Sequence, residues 1–127
     1  MALAGPMRLV APLCVLLTGC TLSGFEAEIQ GRVPFSPPAV YLEWWRDTEA
    51  CADESSSFEA LVFYLADWIM GDARVARARW SEPHDIIIVR RYEADAKVVS
   101  HEMLHDLLRG DGSHTDGRWA SCDLLFG

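Results

Sequence analysis

The sequence predicts an α+β domain, and three observations carry that prediction. The run "DIIIVR" at 85–90 is apolar, β-branched and bounded by turn residues, which reads as a buried strand. Tyr41, Trp44 and Trp45 stand at i, i+3 and i+4 and form one apolar stripe, with Glu43, Arg46 and Asp47 facing away, which reads as a helix. A second helix is expected from Ala96 to about Arg109, with Asp95 as its N-cap and Gly110 at its C′ position.

Taken in order, the chain opens with "MALAGPMRLVAPLCVLLTGC". One basic residue, Arg8, precedes an apolar run over 9–17, which is too short to span a bilayer but suits the core of a signal peptide. The "LTGC" that ends it resembles the lipobox of bacterial lipoproteins. That resemblance implies a signal peptide over 1–19 and an acylated Cys20 (palmitate among the chains), with export and a lipid anchor in the cell envelope. Thr21 stands where an aspartate resembles an inner-membrane retention signal, so an outer-membrane or periplasmic face is expected. A cleaved secretory signal without lipid is the alternative.

Residues 20–38, with Gly24, Gly31 and prolines 34, 37 and 38, are expected to form a tether, and 39–127 the domain. Pro37 and Pro38 suit the start of the Trp helix, which should end near Cys51, and "ADESSS" is a loop. "FEALVFYLADWIM" fits a helix in part, but its strand formers favour a strand over 59–65. Gly71 and Asp72 make a turn, "RVARARW" alternates well enough for a half-exposed strand, and "SEPH" is another turn. The tail beyond Gly112 has no periodicity and is expected to be irregular.

The chain carries 11 basic and 19 acidic residues, a net charge of −8, and loss of Arg8 with the signal makes the remainder more acidic still. Such a chain does not seek nucleic acid or anionic lipid by charge. Half of its residues are apolar, so a compact core is expected, and a monomer is the expected state. With Cys14 in the signal and Cys20 acylated, Cys51 and Cys122 form an even pair in an exported chain and read as a disulfide.

The chemistry concentrates in "HEMLH", residues 101–105. Residues four apart on a helix share a face, so His101 and His105 can present two imidazoles to one Zn²⁺. Glu102 sits one residue round, placed to act as general base on a metal-activated water without ligating the ion. Val99, Met103 and Leu107, flanked by Leu104, can anchor the other face in the core.

His101, Glu102 and His105 resemble the active-site helix of the zincin metallopeptidase superfamily. The resemblance covers 86–114 and implies a minimal zincin-like domain: the motif helix packed behind a small, mostly antiparallel sheet whose edge strand takes a peptide or protein substrate. No glutamate follows Glu102, and no methionine follows Met103, so the gluzincin ligand and the metzincin Met-turn are both missing. His114 lies nine residues after His105 rather than the metzincin six, with Gly110 and Gly112 to let the chain turn back, and is the preferred third ligand. Asp111, Asp116 and, more remotely, His84 are the substitutes. Tyr92, Arg109 and Arg118 are the candidates for a transition-state donor. The implied function is an envelope-anchored zinc metallopeptidase; the alternative is a non-catalytic zinc-binding or structural lipoprotein on the same scaffold.

Overall fold

A computed structural model describes residues 28–71 and 74–127. The signal-peptide, lipobox and Cys20 expectations lie outside the described residues. Among the described residues the fold is α+β, with three helices and two mostly antiparallel sheets. Among the described residues no helix is long and apolar enough to cross a membrane.

Strands β1 (Glu28–Gln30), β2 (Val33–Pro34), β3 (Val62–Ala66), β4 (Trp68–Met70), β5 (Val75–Ala76), β6 (Ala78–Ser81) and β7 (Asp85–Val89) sort into two sheets, ordered β1-β4-β5 and β2-β3-β7-β6. Only the β3–β7 pair is parallel. Each of three chain passages gives one strand to each sheet and switches at a short kink. Gly31 makes one such kink with a φ of +69°, and a side chain there would collide with Asp67, the residue at the second kink.

This pattern corrects three expectations. Residues 28–34, assigned to the tether, are paired strands, because Val33 and Pro34 complete the edge beside β3 and Gln30 accepts the Asp67 backbone N–H. The strand placed at 59–65 runs 62–66, preceded by a 3₁₀ turn over Phe58–Ala60, and a further strand follows at once. "RVARARW" is two short strands in different sheets, separated at the exposed Arg77.

The central β7 is buried on both faces. Ile86 and Ile88 join Phe63 and Leu65 against the helices, while Ile87 and Val89 join Ala66 and Ile69 between the sheets. A strand covered on both sides needs an uninterrupted apolar run, and "DIIIV" supplies it.

Helix α1 (Val40–Ala52) buries Tyr41, Trp45, Thr48 and Ala52. Trp44 is only half-buried and stacks on Tyr41, and the Tyr41 hydroxyl donates to the Glu93 carbonyl at 2.6 Å. Burial pushes that phenol far above its ordinary pKa. Helix α2 (Ala96–Leu108) starts as expected: the Asp95 carboxylate accepts from the Lys97 and Val98 backbone N–H groups at 3.0 and 3.1 Å. Its end differs. Arg109, not Gly110, takes the left-handed conformation (φ 56°), and Gly110 follows at φ +133°, donating to the His105 carbonyl at 2.9 Å. The tail is not wholly irregular: Arg118–Ser121 form the one-turn α3. Cys51 and Cys122 are disulfide-bonded, with Cα atoms 5.9 Å apart, and join α1 to that turn.

Candidate metal centre

His101 and His105 lie on α2, and the Gly110–Gly112 reversal returns His114 to them. The His114 Nε2 is 3.0 Å from His101 Nε2 and 3.1 Å from His105 Nε2. Three imidazoles tetrahedrally arranged at zinc distance have nitrogens roughly 3.3 Å apart, so shifts of a few tenths of an ångström fit the set to an ion. These three buried or half-buried histidines could hold a metal ion.

The tautomers strengthen that conclusion. The His101 Nδ1 bonds the Leu124 carbonyl, and the His105 Nδ1 bonds the Gly110 carbonyl at 2.7 Å. A carbonyl only accepts, so in both rings the proton sits on Nδ1 and Nε2 carries a lone pair. Two bare lone pairs therefore converge on His114, whose own Nε2 proton can satisfy one of them at most. A cation at their meeting point removes the conflict. Burial lowers the pKa of His101 to about 4 and lowers that of His105 too, which keeps both in the ligating form at neutral pH.

Trp119 underlies the site. Its ring centroid is 4.6, 4.5 and 4.6 Å from those of His101, His105 and His114, and it is fully buried. Its indole N–H donates to Asp111 at 2.7 Å. The same carboxylate accepts from the Thr115 backbone N–H and hydroxyl and from the Asp116 backbone N–H. These donors, the Asp116 N–H foremost, hold Asp111 far below the usual carboxylate range. Asp111 thus braces the loop that keeps His114 in a left-handed conformation (φ 53°). It organises the approach of His114 and is not a member of the three-histidine group.

The other substitutes are also engaged elsewhere. Asp116 binds Arg118 through both carboxylate oxygens, which lowers its pKa. His84 bonds Asp106 at 3.0 Å, and Asp106 in turn accepts the Trp80 indole N–H at 2.8 Å. Trp80 stacks over the His105 ring at 6.4 Å. Asp106 therefore anchors the aromatic cover of His105.

Glu102 lines an open cleft of about 520 Å³ together with His101 and His114. Burial pushes its carboxyl group up to about 8, against the Trp80 backbone N–H and the charge of Arg79. Val98 of α2 and Phe126 of the tail also line the cleft, and the Phe126 ring is 5.1 Å from that of His101. None of the candidate transition-state donors reaches this cleft. Arg118 is held by Asp116, Glu54 and the Ala52 carbonyl, Arg109 lines a separate hollow with His84, and Tyr92 lies in the neighbouring groove. The cations that do line it are Arg74 and Arg77.

Reasoning from the sequence missed Trp119, weighed Asp111 only as a substitute ligand, and passed over Asp106. No local signal distinguishes them: each acts through a partner remote in sequence or across a loop. No known protein family, curated protein or solved structure matches the chain.

Proposed function

We propose that the protein is a zinc-dependent peptidase of zincin type, exported and tethered to the cell envelope through Cys20. The observation that carries this reading is the convergence of three imidazole Nε2 atoms beside a buried carboxyl group in an open cleft. Three histidines with a free fourth position form a ligand set typical of catalytic zinc. The packing of α2 against β6, the edge strand of its sheet, supports the zincin likeness.

Zinc held by His101, His105 and His114 would supply Lewis acidity, acidifying water toward a pKa of ~7 and polarising a substrate carbonyl. Glu102 takes the proton as the water oxygen bonds to the carbonyl carbon. It then delivers that proton to the amide nitrogen as the C–N bond breaks, leaving a carboxylic acid and an amine. The free edge of β6 offers backbone groups to an extended peptide, which lines the scissile bond along the cleft. Trp119 and the Leu124 and Gly110 carbonyls keep the ligating rings oriented.

The test compares wild type, Glu102→Gln and His101→Ala for zinc content and for hydrolysis of a peptide library. Wild type and Glu102→Gln should each hold one zinc, and the glutamine variant should lose about a hundredfold or more of the activity. His101→Ala should lose the metal. Zinc bound with equal, null turnover in wild type and Glu102→Gln would point instead to a non-catalytic zinc scaffold, and no zinc in any of them would remove both readings.

A further inference from the structure

The cleft does not end at the metal centre. It shares Val75, Ala76 and Arg77 with a second groove of about 380 Å³, so the two hollows adjoin at β5. Trp68, Arg90, Arg91 and Tyr92 also line that groove. Counted together, the two hollows hold the guanidinium groups of Arg74, Arg77, Arg90 and Arg91. Against these cations stand two side-chain carboxyl groups: Glu102 at the three-histidine centre, and Asp67, which is paired with Arg90 at 3.1 Å. Among the described residues, Arg74, Arg77 and Arg91 have no ion-pair partner. Arg77 instead lies over the Phe126 ring at 4.9 Å and farther from Tyr92, at 5.8 Å, and Arg91 rests on Tyr92 at 4.8 Å, both arginines being exposed.

In a chain of net charge −8 this concentration of uncompensated arginine is a local reversal of sign. Screening decides whether it matters. At physiological ionic strength the Debye length is about 8 Å, so a ligand lying in the groove feels the arginines at its walls far more than carboxylates on other faces. Guanidinium forks bind carboxylates in preference to other peptide groups.

We infer that the peptide cut at the three-histidine centre carries acidic residues on the flank that enters the Arg77–Arg91 groove, with these arginines setting that preference. The inference rests on the peptidase reading and adds its substrate class. An acidic segment pairs with Arg77 and Arg91 while the scissile bond sits beside Glu102, and a basic segment is repelled.

The experiment uses full-length, zinc-loaded protein and internally quenched peptides that share one apolar centre and differ only in a flank of glutamates, glutamines or lysines. It measures kcat/KM for each and, separately, the binding of the labelled glutamate peptide by fluorescence anisotropy. The glutamate flank should exceed the glutamine flank by about tenfold at low salt, the sum of two or three exposed ion pairs. The preference should shrink as salt rises, and the lysine flank should be poorest. Arg77→Gln/Arg91→Gln should level the ratio, and Arg91→Glu alone, at an exposed position, should reduce it. Zinc content and melting serve as folding controls.

Cleavage without charge preference, or a ratio unchanged in both variants, would overturn the inference and leave the peptidase reading intact. Binding of the acidic peptide that the variants lose, with no peptide cut, would keep the groove's ligand and remove the peptidase reading. Neither cleavage nor binding would remove both. Tighter binding of a single-stranded oligonucleotide than of the acidic peptide would also overturn the inference.

Discussion

The Glu102 carboxyl group is buried, and burial raises its pKa from 4.5 to about 8. Its folded value therefore lies above its unfolded one. The stabilisation this contributes is full below about pH 4.5 and is lost as pH rises toward 8, where a buried charge must form. Glutamine does not titrate, and the histidines titrate alike in both proteins. Metal-free Glu102→Gln should therefore melt close to wild type at pH 5 and above it at pH 9, by up to a few kcal/mol. Thermal melting in chelator at both pH values checks this, and an unchanged difference would mean that the carboxyl is well solvated. His101, Glu102 and His105 were legible in the sequence because i and i+4 identity is a local property of a helix. His114 was legible as a candidate only, since its approach depends on Asp111 gathering Thr115, Asp116 and Trp119 onto one carboxylate.

At the scale of elements, α2 carries His101, Glu102 and His105, so its start and its packing set the candidate site. Asp95→Ala removes a cap that accepts two backbone N–H groups, and it should cost about 1 kcal/mol. For a domain of this size that is a fall of roughly 4–8 °C in Tm, with zinc stoichiometry unchanged because the ligands lie beyond the first turn. Calorimetry with metal analysis tests both halves. The helices were readable from caps and stripes, and β7 from its uninterrupted apolar run. The remaining strands were less so. Val62 to Met70 reads as one segment, yet Asp67 carries the chain from one sheet into the other, and periodicity alone does not reveal which partner a strand takes. Residues 28–34 were invisible for the same reason: as lone strands they are too short, and their pairing with β3 and β4 makes them strands.

Across the whole molecule, the three-histidine cluster is assembled between α2 and the tail, and α1 secures that tail. The Cys51–Cys122 disulfide and the Arg118 bonds to the Ala52 carbonyl and Glu54 form two adjacent ties. Cys122 lies between Trp119, the floor of the site, and Leu124, whose carbonyl orients His101. Cys51→Ser/Cys122→Ser should lose on the order of 4 kcal/mol of stability, from the 71-residue separation the bond closes. It should also bind zinc more weakly, as read by competition with a chromogenic chelator. Lower stability with unchanged zinc affinity would show that the Arg118 tie alone holds the ligand loop.

The sequence by itself determined what short-range repetition can encode: a helix with two imidazoles on one face, the carboxyl group beside them, the strand that backs them, and the even pair of cysteines. Only the tertiary structure decided how the chain is shared between two sheets, that His114 completes the set, that Trp119, Asp111 and Asp106 hold it, and that arginines from separate segments line the adjoining groove. The reason is physical. Helical and strand periodicities arise from the geometry of adjacent residues, whereas a ligand's approach, a ring's support and a local reversal of charge arise from contacts between segments far apart along the chain.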